Sequence, residues 1–151
     1  MTQEEKDLLF KDLSERLPYG VKCDISNYED SYYDSHEHIE IHLKEEKPIK
    51  ISGIDFNKNC IYLSNLQIDH VCGYENYGGL KPYLRPMSSM TKEEKKEYEL
   101  LANHCIVTSV EFVHLEAQTL IDWLNCHHFD YRGLIEKGLA LEVTDKNNPY
   151  R

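Results

Sequence analysis

The sequence predicts an α+β fold: an N-terminal helix, a small curled antiparallel sheet or partial barrel, and C-terminal helices packed on it. Three observations carry that prediction. Leu9, Leu13 and Leu17 recur at helical spacing behind a capping signal. Short apolar/polar alternations then follow one another between about residues 20 and 72. From residue 91 a second capped, charged run and a third apolar run return to helical spacing.

Thr2 with Glu5 three residues later forms a capping box for a helix over residues 3–16, which Pro18-Tyr19-Gly20 ends. Val21, Cys23 and Ile25 alternate with polar residues as a first strand. Residues 27–35 read as a polar, acidic, aromatic loop. Ile39/Ile41/Leu43, Ile49/Ile51 and Ile61/Leu63 give three more strands, and 66–72 a possible fifth. Glu45–Pro48 and Asp55–Asn59 are their turns. Together these make a meander over 20–72.

Gly78-Gly79, Pro82 and Pro86 mark a crossing loop over 78–90. Thr91 and Glu94 cap a helix that runs to about His104. Cys105–Val107 through Phe112-Val113 reads as a strand, and Leu115 to Leu124 as a helix ending near Cys126. Leu134 and Ile135 form a short helix that Gly138 closes in a left-handed cap. Leu139–Leu141 is extended, and 143–151 is a loose tail. The expectation is one domain over 1–151.

Composition narrows function by exclusion. A net charge of −10 lacks the basic footprint that nucleic-acid polymers require. No apolar run approaches the roughly 18 residues of a membrane span, so no membrane partner is expected. The polar, acidic start is not a signal peptide. Five cysteines, widely spaced and without a C-x-x-C pair, fit free thiols and a cytoplasmic location. No cofactor motif occurs: there is no phosphate-binding glycine loop and no nucleophile elbow.

Candidate sites are few. Two of the four arginines, Arg85 and Arg132, lie away from the chain ends, each near a tyrosine in a turn-prone segment. Arg16 and Arg151 lie nearer the termini. In Lys81-Pro82-Tyr83-Leu84-Arg85-Pro86 the prolines hold the chain extended, so Tyr83 and Arg85 project from one side. A ring and a planar guanidinium fork suit a flat, anionic ligand. Tyr131 and Arg132 would supply a second wall. The structural alternative is that both arginines pair with internal carboxylates and that Asp130 caps the short helix after it. His36, His38 and His42 share one strand face, and with Glu40 or His70 they could hold a metal for hydrolysis. Any half-buried strand, however, turns polar residues outward. His127-His128 could act as acid or base, but no nucleophile is tied to them by a local pattern.

Residues Leu9–Leu13, Leu17–Val21, Lys81–Thr91 (KPYLRPMSSMT), Trp123–Asn125 and His127–Glu142 (HHFDYRGLIEKGLALE) give the chain a resemblance to a family. It resembles small hypothetical proteins of gut bacteria, their prophages and phages. The meander looks variable, and the tail after Glu142 departs from the pattern. The resemblance implies an accessory protein of a mobile element and transfers no functional residue. By analogy such a protein binds a host protein or sequesters a small anionic, nucleotide-like ligand. The other expectations are the metal-dependent hydrolase and a structural or assembly component. The oligomeric state is not encoded in these signals.

Overall fold

A computed structural model describes residues 1–24, 29–33, 38–42, 48–55, 60–64, 71–73, 80–107 and 113–151. Thr2 and Glu5 close the capping box reciprocally, Thr2 N–H to Glu5 Oε2 at 2.7 Å and Glu5 N–H to Thr2 Oγ1 at 3.2 Å. Helix α1 (Gln3–Arg16) follows over the span its periodicity predicts. A 3₁₀ turn over Leu17–Tyr19 ends at Gly20, whose φ of 70° requires a residue without Cβ strain.

Strands β1 (Lys22–Asp24), β4 (Ile49–Asp55), β5 (Cys60–Leu63), β6 (Val71–Gly73), β7 (Lys81–Leu84) and β8 (Leu141–Glu142) form one open sheet. Strands β2 (Glu29–Tyr33) and β3 (His38–His42) make a separate antiparallel hairpin. The α+β class holds, with corrections to the sheet. Its order is β6-β5-β4-β1-β7-β8, so β1 lies centrally between β4 and β7 instead of opening a continuous meander. The β7–β8 pairing is parallel, which makes the sheet mixed, and the sheet does not close into a barrel. Alternation identifies a strand but says nothing of its partner, and those pairings span the chain. Residues 29–33, read as loop, are strand β2. The crossing loop contains β7.

The main core joins Leu9 and Leu13 of α1 to Val21, Cys23, Ile49, Ile51, Ile61, Leu63 and Leu80. A second cluster holds Leu84, Leu134, Leu139 and Ala140. Helix α2 (Lys92–Val107) starts at the Thr91–Glu94 capping box and packs on α3 (Val113–Cys126). Cys105–Val107 continue the helix, a correction to the strand reading: three β-prone residues do not stop an established helix. Residues 134–138 are turns instead of a helix, although Gly138 takes the left-handed conformation expected (φ 70°). Asp130 caps this turn, accepting from Leu134 N–H at 2.9 Å and Ile135 N–H at 2.8 Å. Among the described residues no helix is long and apolar enough to cross a membrane.

Candidate functional site

The end of α3 sets the geometry of the site. Phe129 N–H bonds back to the Leu124 carbonyl at 3.0 Å and His128 N–H to the Asn125 carbonyl at 3.1 Å. This is the 6→1, 5→2 pattern of a Schellman motif, with His128 in the left-handed slot at φ 57°. Glycine usually fills that slot, so a histidine there carries backbone strain of order 1 kcal/mol. The reversal lays Phe129 beside β7: Arg85 N–H bonds to the His128 carbonyl at 2.8 Å, and Asp130 N–H to the Arg85 carbonyl at 2.7 Å.

Along β7, Leu80, Pro82 and Leu84 are buried while Lys81, Tyr83 and Arg85 are half-buried, so Tyr83 and Arg85 do share a side. Burial, reinforced by the charge of Asp24, raises the Tyr83 phenol pKa. Arg85 meets Glu94 in a two-pronged ion pair, Nη1–Oε1 at 2.8 Å and Nη2–Oε2 at 2.9 Å. Its guanidinium lies 4.3 Å from the centroid of the Phe129 ring. The hydrogen bonds from Arg85 hold the Glu94 carboxyl down at about 2, assisted by Thr91. One carboxylate thus caps α2 and fixes the arginine.

Arg132 and Tyr131 belong to a different network. Arg132 Nη1 reaches Asp12 Oδ1 at 2.9 Å, and its Nη2 pairs closely with Glu15. Asp12 also accepts from Arg16 Nε at 2.7 Å, and Arg16 Nη2 donates to the Phe129 carbonyl at 2.7 Å. Both guanidinium groups flank the Tyr131 ring, at 4.6 and 5.3 Å from its centroid. The Tyr131 hydroxyl lies 3.2 Å from Glu15 Oε2 and 3.1 Å from Asn125 Oδ1. Burial pushes its pKa up to about 12. Arg16 and Asp12 are both fully buried, so the arginine nearest the N-terminus is the most interior of all. The expectation that the central guanidinium groups stand free for an external partner is corrected: both are paired internally. They differ in exposure, at 23% for the Arg85 side chain and 13% for Arg132.

A cleft of about 760 Å³ opens beside Arg85. Its walls come from the 86–91 turn, the end of α3 and the segment after β8. Of the ligand-binding residues expected from the sequence, Arg85 lines it, whereas Lys81, Tyr83, Tyr131 and Arg132 do not; His127 and His128, the candidate acid or base pair, line it as well. His128 and Tyr150 stack on its wall, rings 3.8 Å apart and 10° from parallel. Burial, with the nearby charge of Arg16, lowers the His128 pKa to about 4, so its ring is neutral. His127 Nδ1 lies 2.9 Å from the Trp123 carbonyl, which makes it the protonated nitrogen and leaves Nε2 as an acceptor when the ring is neutral. Arg151 also lines the cleft; at 66% exposure it pairs with Asp145 at 2.6 Å.

Tyr150 escapes sequence reasoning because nothing local marks a tail tyrosine as anchored. Arg16 had a legible signal: it lies four residues after Asp12, beside the Leu9/Leu13 stripe. The metal strand lies largely outside the described residues. His36 and His70 fall there, and so do the side chains of His38, Glu40 and His42. Among the described residues no group of three His, Cys, Asp or Glu stands together as a metal site. No family model, no curated protein and no solved structure matches the chain.

Proposed function

We propose that this chain is a binding module, an accessory protein of a mobile element, that sequesters a small, flat, anionic ligand of nucleotide type. The observation that carries the reading is the cleft: one wall holds the Arg85 guanidinium, braced on Phe129, and another the stacked His128–Tyr150 rings. Its size falls within the range of small-molecule sites. A flat ring has an aromatic wall to lie against, and an anion has two guanidinium groups at the cleft, Arg85 and Arg151.

Two observations favour a small ligand over a host protein. The site is concave, and among the described residues only Met1 and Leu100 are large exposed apolar side chains. A protein-docking face ordinarily presents a contiguous apolar centre.

The Arg85–Glu94 pair sets the terms of recognition. A ligand anion must either meet the edge that Glu94 leaves open or displace that carboxylate, so affinity should fall steeply with salt. Thermal titration with adenosine monophosphate, adenosine and inorganic phosphate tests the reading. The nucleotide should raise Tm by several degrees at a concentration where neither fragment does. Arg85→Ala should keep the fold and lose the response. Failure of the wild-type protein to respond to any nucleotide would remove the reading.

A further inference from the structure

We propose that residues 143–151 are a strap that opens as a unit from an otherwise intact fold, with Tyr150 as its latch. Its significance for binding rests on the cleft reading above, because Val143, Thr144, Asp145, Asn148, Tyr150 and Arg151 form one wall of that cleft.

The latch is built where the sheet is incomplete. Pro82 faces Cys23 in the β1–β7 pairing and has no N–H to give the ladder. One step further on, the Tyr150 hydroxyl stands between the two strands. It accepts from Lys22 N–H at 3.2 Å and donates to the Tyr83 carbonyl at 2.9 Å. A side chain from the strap thus takes the place of a backbone rung. Lys22 Nζ adds a hydrogen bond to the Pro149 carbonyl at 2.6 Å, and the Tyr150 ring lies on His128.

Among the described residues, the hydrogen bonds between this latch and the body hold the strap only near its root: Val143 N–H bonds to the Leu84 carbonyl at 2.8 Å, and Asn147 Nδ2 donates to the Glu142 carbonyl at 2.9 Å. The turn between also closes on itself, because Thr144 N–H and Oγ1 both donate to Asn147 Oδ1. Residues 144–147 are exposed, and no strap residue belongs to either apolar core cluster. The remaining tie, Arg151–Asp145, lies within the strap and so travels with it. A segment with no residue in either core cluster, pinned at its far end by a single tyrosine, belongs to the low-stability end of a fold. Release of Tyr150 would remove one cleft wall and uncover the His128 ring.

Hydrogen exchange of the full chain tests this without any ligand, so its outcome is independent of the nucleotide titration. The Lys22 amide reports the latch, and the Phe129 and Leu134 amides report the body. Lys22 should exchange at least about tenfold faster than those two, through an opening insensitive to low urea. Tyr150→Phe keeps the ring and removes the hydroxyl; it should speed Lys22 about tenfold further and leave Phe129 and Leu134 unchanged. Exchange of Lys22 at the rate and urea dependence of the body amides would show that the strap unfolds only with the whole, and the proposal would be wrong.

Discussion

Two arginine clusters, assembled from the same residue types, occupy different dielectric settings. In the α1 network Asp12 lies fully buried between Arg16 and Arg132, with Glu15 and Tyr131 closing the outer side. At the cleft, Arg85 meets a single carboxylate, with both partners partly open to water. The difference teaches that pairing alone does not separate scaffold from site. The buried network ties the 129–132 segment to α1, and removing one member strands a charge. Water reaches the cleft pair, so in the proposed reading an external anion can compete there with Glu94.

The largest expected effect comes from opening the buried network. Asp12→Ala leaves Arg16 with neither carboxylate partner nor solvent, and should cost about 3–5 kcal/mol in urea unfolding. A loss below 1 kcal/mol would mean that the two clusters are alike after all.

Acid should act next. His128 is pulled from 6.5 to about 4 in the fold, so between those values the unfolded chain binds the extra proton. Its contribution is fully present above pH 6.5 and is lost as pH falls toward 4, of order 2–3 kcal/mol. Glu94, held at about 2 against 4.5, adds a second loss in the same direction below pH 4.5. Urea midpoints measured against pH should therefore decline in two stages. His128→Asn tolerates the left-handed backbone and should erase the upper stage only.

Glu94→Gln removes one charge from the cleft pair while keeping side-chain size and partial capping. Stability should drop by about 1 kcal/mol. Nucleotide affinity should rise, because Arg85 loses its competing anion, and calorimetric titration reads that change. The smallest effect belongs to Arg151→Ala: an exposed pair with Asp145 should contribute within about 0.5 kcal/mol, visible only in the salt dependence of binding.

Legibility in the sequence followed the range of the interaction. Helix α1 and the start of α2 are written in local signals, Thr2/Glu5 and Thr91/Glu94 with the apolar stripe between, and both form as read. Sheet order was not legible. β1 binds strands that begin 25 and 57 residues after its end, by backbone bonds that any alternating strand offers. Tyr83 and Arg85 fall on one side of β7 as the prolines imply, yet the second task of Glu94 is invisible beside its capping role. His128 sits in a slot where sequence patterns look for glycine, and Tyr150 acts across more than 60 residues. Both help make the cleft, which is why the site was read less fully than the helices.

Nucleotide titration of Arg85→Ala and Arg132→Ala side by side addresses the division between site and scaffold most directly. The expected result is a reciprocal pattern: Arg132→Ala loses several kcal/mol of stability and still binds below its lowered Tm, whereas Arg85→Ala loses about 1–2 kcal/mol and no longer binds. Equal losses of stability with no difference in binding would contradict it, and would leave both arginines as scaffold.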